Sequence, residues 1–189
     1  ALFELALTRL LALGYVYVGL DHFVLPEDEL LHARHKGELR RNFMGYTTCK
    51  SSDVLAFGPS SISEIGRHYL QNEREVTAYC ERVESGVLPV VRGYSLTSDD
   101  VIRRDLIMQL LCNLVIDTAD FSMRHGIDFE SYFASEVRLL RPLIDDGLCG
   151  WESGKLRILL PGQLLLRTVA AVFDATLHRP APRHHAAAV

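Results

Sequence analysis

Three runs rich in polar, aromatic and glycine residues follow short apolar stretches, and they constrain the fold more than any other feature. They span residues 19–30 (GLDHFVLPEDEL), 41–48 (RNFMGYTT) and 57–63 (FGPSSIS). A hydrophobic core alone does not need this composition. The loops at the carboxyl ends of parallel strands do need it, because α/β folds build their sites there. The sequence therefore predicts part of a site-bearing α/β enzyme.

Helices and short strands alternate through the first half of the chain. Residues 2–13 carry apolar side chains at helical spacing, and residues 15–20 (YVYVGL) are apolar on both faces, as in a buried parallel strand. A second strand is predicted over residues 53–57. Further elements are a helix from Pro26 to about His35, a helix over residues 73–85 and an extended segment over residues 88–96. This order predicts the last strands and helices of a partial βα barrel, with far fewer strands than a closed barrel needs.

From Thr97 the pattern becomes that of a mainly helical α+β module. Thr97 and Asp100 form a capping box at the start of a long helix, and Ser153-Gly154 marks the turn of a β-hairpin. The predicted elements are helices over residues 99–116, 128–143 and 163–177 and the hairpin over residues 148–160. Helices combined with a hairpin give the module a winged-helix-like outline.

We therefore predict an α/β chain in three parts. Residues 1–95 are the C-terminal part of the barrel, residues 96–178 are a helical C-terminal domain with a hairpin, and residues 179–189 are a disordered tail. Because two strands cannot close a sheet, we expect the chain to be a fragment of a longer protein whose N-terminal barrel portion is missing.

Composition argues against several function classes. The chain has 24 acidic and 20 basic side chains and a net charge of −4, which disfavours a nucleic-acid binder, and acidic residues flank the basic pair Arg103-Arg104. Glu4 and Arg9 interrupt the first apolar helix, so it is not predicted to enter a membrane. We expect a cytoplasmic monomer.

The four cysteines are too scattered to form a close-spaced metal motif. Each lies more than thirty residues from the next, so neither a CxxC nor a CxxxCxxC spacing occurs in this chain. Reduced thiols of a cytoplasmic protein are the expected state, and no metal site is predicted in this chain.

Read together, these runs resemble the oxygen-independent coproporphyrinogen III oxidases, which are radical S-adenosylmethionine enzymes of anaerobic haem biosynthesis. The similarity extends to about Leu177 and is most specific in the DHF and RNFMGYTT runs. The matching residues are 17–23, 28–30, 41–48, 60–63, Tyr69, 71–72, 99–100, 102–104, 146–148 and 173–174. Met44 stands where this family often has Gln, and the CxxxCxxC run that the resemblance places near the N-terminus of the full enzyme is absent from this chain.

The resemblance implies a specific reaction for the full-length protein. Two propionate side chains of coproporphyrinogen III are oxidatively decarboxylated to vinyl groups, which gives protoporphyrinogen IX. The implied cofactors are a 4Fe–4S cluster and S-adenosylmethionine, with a deoxyadenosyl radical abstracting a propionate hydrogen. This chain lacks the cluster ligands, so we expect it to be inactive alone.

Six residues are candidates for the site. The resemblance implies that Ile62 packs against the adenine of S-adenosylmethionine, although a core isoleucine is the plain alternative. Asp21 and His22 are candidates for proton transfer or for a structural hydrogen-bonded pair. Candidates for the substrate pocket are Arg41, which could pair with a carboxylate or brace its loop, and Met44 and Tyr46, for which core packing is the alternative.

Two other function classes remain open at this level. A radical-SAM-related haem chaperone or porphyrin-binding protein is suggested by the Gly58-Pro59-Ser60 run and the eight histidines. A winged-helix binding module is suggested by residues 97–177.

Overall fold

The computed structural model describes residues 2–50 and 53–178. The first half of the chain consists of short helices and strands, and most of the strands follow one another in pairs, whereas the sequence predicted helices and strands in alternation. These elements are α1 (Leu2–Ala12), β1 (Val16–Gly19), β2 (His22–Val24), α2 (Glu29–His35), β3 (Arg40–Asn42), β4 (Gly45–Thr47), β5 (Ile62–Ile65), β6 (His68–Asn72), α3 (Val76–Glu84) and β7 (Val90–Ser95).

The second half is mainly helical, and one small sheet completes it. Its elements are α4 (Ser98–Asn113), β8 (Val115–Asp117), α5 (Thr118–His125), α6 (Phe129–Tyr132), α7 (Ala134–Leu139), α8 (Arg141–Asp145), β9 (Cys149–Glu152), β10 (Lys155–Ile158), α9 (Leu160–Leu164), α10 (Leu166–Ala171) and α11 (Ala175–His178). The predicted tail over residues 179–189 lies outside the described residues.

The prediction of a parallel strand at residues 15–20 was wrong for the described residues. Here β1 pairs antiparallel with β2, with Tyr17 opposite Phe23. Only Leu20 and Asp21 connect the two strands, and the chain reverses there with positive φ at Gly19 and Leu20, at 150° and 56°. A turn this short closes with little loss of chain entropy, whereas a parallel partner needs a long crossover. The Arg34 guanidinium donates to the carbonyls of Tyr17 and Val18, both in β1, at 3.3 and 2.7 Å.

The predicted strand over residues 53–57 was also wrong. Only Val54 pairs in that stretch, through an isolated antiparallel bridge to Glu64. The strand instead forms three residues after Pro59, as β5, which joins β6 and β7 in an antiparallel sheet of order β5-β6-β7. Proline lacks the backbone N–H that a strand must donate, so pairing starts beyond it.

Local signals in the C-terminal half are confirmed. Thr97 and Asp100 form the predicted capping box, with reciprocal hydrogen bonds between their side chains and backbone amides. The predicted hairpin is β9–β10, and Ser153 and Gly154 form its turn with positive φ at both residues.

The predicted helix boundaries differ from the observed ones where the chain joins the small sheet. The helix predicted over 99–116 ends at Asn113, because Leu114 takes a left-handed conformation and β8 pairs with β10 in the order β8-β10-β9. The helix predicted over 128–143 divides into α6, α7 and α8, and the one over 163–177 divides into α9, α10 and α11. Helix α5 was not predicted.

Two hydrophobic clusters hold these elements together. The larger belongs to the C-terminal half and is centred on four fully buried phenylalanines: Phe121, Phe129, Phe133 and Phe173. The smaller contains Val18, Leu39 and Cys112. Because Cys112 lies in α4, this helix carries both clusters and fixes the N-terminal hairpins against the C-terminal half.

Both side chains of the basic pair Arg103-Arg104 form ion pairs within the fold. Arg103 forms ion pairs with Asp99 and Glu136 at 2.9 and 2.8 Å, and Arg104 forms one with Glu64 at 2.8 Å. Both guanidinium groups are mostly buried. Side chains held in this way are poorly placed to contact nucleic-acid phosphates.

None of the described helices is long and apolar enough to cross a membrane.

Candidate functional site

Tyr46 is the centre of the cluster formed by the predicted site residues. Residues 41 and 46 lie opposite each other in the β3–β4 hairpin, and the Arg41 guanidinium carbon is 5.9 Å from the centre of the Tyr46 ring. At this distance the cation is attracted to the face of the ring. The Tyr46 hydroxyl donates to the Leu111 carbonyl at 2.8 Å, and burial raises the pKa of this phenol well above its usual range.

Asp21 and His22 reach the same cluster from the β1–β2 turn. His22 Nδ1 lies 2.8 Å from Asp21 Oδ1, and the imidazole meets the Tyr46 ring edge to face at a centroid distance of 4.9 Å. The Asp21 side chain is 79% exposed, whereas that of His22 is 33% exposed. A carboxylate paired to one ring nitrogen fixes the tautomer and leaves the other nitrogen free to exchange a proton.

Two glycines make this approach possible. A Cβ at Gly19 would lie 2.7 Å from the Tyr46 hydroxyl oxygen, and a Cβ at Gly45 would lie 3.1 Å from His22 Nε2. Both residues also have positive φ, which disfavours any side chain. The glycines of the runs GLDHF and RNFMGYTT therefore let four predicted site residues, Asp21, His22, Arg41 and Tyr46, come together.

The other two predicted site residues lie apart from this cluster. Met44 is at the tip of the β3–β4 hairpin and is 91% exposed. Ile62 begins β5, in a different sheet, opposite Gln71 and half-buried. Neither side chain lines the two cavities described next. Their predicted contacts with substrate and S-adenosylmethionine stay predictions.

Two cavities flank the cluster. The larger, about 600 Å³, lies between β3, the segment that follows β4, and α4, with the end of α5 at its rim. This volume is in the range of small-molecule pockets. The smaller, about 200 Å³, is lined by Leu20, Asp21 and residues 163–168.

A charged group borders the larger cavity. Asp105 accepts hydrogen bonds from Arg124 at 2.8 Å and from Gln109 at 3.0 Å, and its carboxylate lies 2.7 Å from His125 Nε2. Burial acts to raise the pKa of Asp105, but the hydrogen bonds from His125 and Arg124 outweigh it, so the pKa lies below its usual value. Asp105 therefore stays ionised at neutral pH.

The side chains that could ligate the 4Fe–4S cluster implied by the resemblance do not group together in the part of the chain that the structure describes. Among residues 2–50 and 53–178, no group of three or more His, Cys, Asp or Glu side chains is arranged to hold a metal ion. Cys49 and Cys80 are exposed, Cys112 and Cys149 are buried, and all four are free thiols.

Sequence reasoning missed several residues that shape the site. Arg34 braces β1, Leu111 anchors Tyr46, and Asn113 lines the larger cavity from the end of α4. Nothing in the sequence separates these residues from an ordinary helical Arg, Leu or Asn. Arg104 also lines the cavity, where it is paired with Glu64.

Comparisons with known proteins agree on one family. The HemN C-terminal domain matches residues 96–165. The chain is 40% identical over 182 residues to the oxygen-independent coproporphyrinogen III oxidase of Thermostichus vulcanus, covering 96% of this chain and 56% of that protein. It is 41% identical over 168 residues to the enzyme of the same name from Escherichia coli K12, covering 89% of this chain and 37% of that protein.

A solved structure gives the same result for the fold. It is described as the coproporphyrinogen III oxidase HemN from Escherichia coli, a radical SAM enzyme, and it superposes with a TM-score of 0.88 at 38% identity. The match covers 92% of this chain and 40% of that structure. The chain thus spans between about a third and somewhat over half the length of these relatives. In sequence over nearly its whole length and in its mixed α/β fold, the chain matches the C-terminal portion of the oxygen-independent coproporphyrinogen III oxidases.

Proposed function

We propose that this chain is the C-terminal part of an oxygen-independent coproporphyrinogen III oxidase. The full-length protein converts two propionates of coproporphyrinogen III to vinyl groups, giving protoporphyrinogen IX. The observation that carries the proposal is the 40% identity over 96% of the chain, supported by the TM-score of 0.88. The 4Fe–4S cluster and S-adenosylmethionine supply the radical chemistry when bound to the full-length protein.

In this proposal the residues of this chain form one wall of the active site. Asp21 and His22 hold or move a proton, because the exposed Asp21 carboxylate pairs with His22, whose ring packs on Tyr46. Arg41 binds a substrate carboxylate, and Tyr46 fixes the orientation of the Arg41 side chain. Ile62 offers a half-buried apolar surface to adenine, and exposed Met44 contacts substrate from the hairpin tip.

We assign different structural roles to the two parts of the chain that contain the two hydrophobic clusters. Residues 1–95 contribute the C-terminal part of the barrel, and residues 96–178 brace it as a winged-helix-like domain. Support comes from α1, none of whose residues is buried although Leu2, Phe3, Leu5 and Leu11 are large and apolar. Such a face calls for a covering partner, and we assign this role to the N-terminal portion of the full-length protein. We place the protein in the cytoplasm as a monomer, in line with its free thiols.

A hybrid enzyme tests the proposal. This chain replaces the matching portion of the Escherichia coli enzyme, which is 41% identical to it. We expect the purified hybrid, reconstituted anaerobically with iron and sulfide, to convert coproporphyrinogen III to protoporphyrinogen IX. The chain by itself should neither take up a cluster, followed by its visible absorbance, nor turn over substrate. A folded, cluster-loaded hybrid without turnover would count against the proposal.

A matched pair of variants tests the proposed adenine contact. Ile62 and Ile65 both lie on β5 and are both half-buried. We expect Ile62→Ala in the hybrid to raise the KM for S-adenosylmethionine, whereas Ile65→Ala leaves it unchanged. Equal changes in this KM for the two substitutions would mean that Ile62 contributes only to packing.

A further inference from the structure

The larger cavity carries features of a ligand site to which both halves of the chain contribute. Its walls include Arg40 and Arg41 from β3 and Asn113 from the end of α4. Five basic side chains and three carboxylates line it, although the whole chain has a net charge of −4. This local excess of positive charge favours an anionic ligand.

Most of the basic side chains at the cavity already have partners. Lys50 pairs with Glu38, Arg104 with Glu64, and Arg124 with Asp105, each at 2.8 or 2.9 Å. Arg40 and Arg41 form no ion pair within the described residues. The positive charge available to a ligand is therefore on the β3 side of the cavity.

The unmatched polar atoms of the structure lie at the same place. Over residues 2–50 and 53–178, two buried side-chain atoms lack a hydrogen-bond partner, Arg41 Nε and Asn113 Oδ1. Both residues line this cavity. A buried donor and a buried acceptor left unmatched are each costly, so their occurrence at one cavity indicates that a bound molecule matches them.

The two atoms specify the chemistry of that molecule. Arg41 Nε–H belongs to a cationic group, so a carboxylate oxygen is its strongest hydrogen-bond acceptor. Asn113 Oδ1 is an acceptor at the negative end of the α4 dipole, so it requires an N–H or O–H group. We propose that this cavity binds a carboxylate whose own N–H group reaches Asn113, as in a pyrrole that carries a propionate side chain.

The choice of a pyrrole acid rests on the proposed function, and it assigns a role to the HemN C-terminal domain. Asn113 lies within residues 96–165, which match that domain, whereas Arg41 lies outside them. The domain would then do more than brace the barrel, since Asn113 would select substrates that present an N–H group beside the acid.

The test is a titration of the ¹⁵N-labelled chain with 3-(1H-pyrrol-2-yl)propanoate through the millimolar range, following the Nε–H signal of Arg41 by NMR. We expect saturable shifts of that signal. Arg41→Lys and Asn113→Leu should each weaken binding about tenfold or more, whereas Arg92→Lys, at an exposed position on β7, should not. For the Arg41 variant, which lacks the reporter signal, amide shifts of residues 111–113 give the affinity.

Two ligand controls keep the test sharp if a variant folds poorly. The methyl ester lacks the carboxylate and the N-methyl pyrrole acid lacks the donor, so both should bind at least about tenfold more weakly to the unaltered chain. Equal binding of either control, or absence of saturation, would overturn the proposal. Because the hybrid enzyme is assayed separately, an active hybrid whose chain binds no pyrrole acid would refute the cavity site alone. An inactive hybrid with specific binding would refute only the oxidase function.

Discussion

The hydroxyl of Tyr46 donates a 2.8 Å hydrogen bond to the carbonyl of Leu111, a residue 65 positions later in the chain. Leu111 lies in the last turn of α4, where carbonyl groups have no partner within the helix. One phenol thus satisfies the end of the long helix, anchors the β3–β4 hairpin and supports the imidazole of His22.

Replacing Tyr46 with Phe should destabilise the chain by about 1–3 kcal/mol, because the partly buried Leu111 carbonyl would lose its donor. Urea denaturation followed by circular dichroism measures the change in the free energy of unfolding. Tyr15→Phe is the matched control, since the Tyr15 hydroxyl forms no side-chain hydrogen bond within residues 2–50 and 53–178. Equal stability of Tyr46→Phe and the unaltered chain would mean that water replaces the phenol at α4.

Gly19→Ala should be destabilising because the site has no room for a methyl group. The added Cβ would lie 2.7 Å from the Tyr46 hydroxyl oxygen, and φ at Gly19 is 150°. We expect a loss of about 1–3 kcal/mol from strain and displacement of the phenol. Gly150→Ala is the control, since the nearest atom to its added Cβ is Leu159 Cδ1 at 4.0 Å. Thermal melting compares the Gly19→Ala and Gly150→Ala variants. Equal melting temperatures would show that the hairpin shifts to make room for the methyl group at residue 19.

The sequence predicted those parts of the fold that depend on neighbouring residues. The capping box at Thr97 and the hairpin turn at Ser153-Gly154 each depend on residues that are close together in sequence, and both predictions are confirmed. Strand β8 could not be predicted in this way, because Val115 pairs with Arg157, far along the chain. The reversal after Gly19 also lacked a signal, since Leu20 at φ 56° is not a usual turn residue.

The candidate site was likewise predictable only where it depends on residues close together in sequence. Four of the six predicted residues lie in one cluster because the glycines that allow their approach belong to the same short runs. The position of Asn113 could not be predicted from the sequence, because only the packing of α4 on β3 brings this residue to the cavity wall.

Thiol reactivity should divide the four cysteines into two classes. Cys49 and Cys80 are exposed, whereas burial raises the pKa of Cys149 and raises that of Cys112 to about 12. Since the thiolate is the reactive form, Ellman's reagent at neutral pH should modify two thiols of the folded chain quickly and the other two only after unfolding. The variant Cys49→Ser should lose one rapid equivalent. Four rapid equivalents would mean that α4 opens easily and would contradict the buried position of Cys112.

Acid should weaken the chain through the carboxylate of Asp105. Its pKa lies below the reference value of 3.8, with the hydrogen bonds from His125 and Arg124 outweighing the opposing effect of burial. A carboxylate whose pKa is lower in the folded state stabilises the fold above its unfolded pKa, and this contribution disappears as pH falls through the folded pKa. The loss should therefore begin near pH 4 and continue below it.

The variant Asp105→Asn isolates this effect. At pH 7 we expect the variant to be less stable than the unaltered chain by about 1–3 kcal/mol, because it loses the charge-assisted hydrogen bonds to Arg124 and His125. As pH falls below about 4, the difference should shrink, since the unaltered carboxyl also becomes neutral there. Urea midpoints at several pH values measure it. Asp145→Asn, at an exposed position, should show neither the loss nor the pH dependence. A difference that stays constant with pH would mean that Asp105 stabilises the rim of the cavity by shape and not by charge.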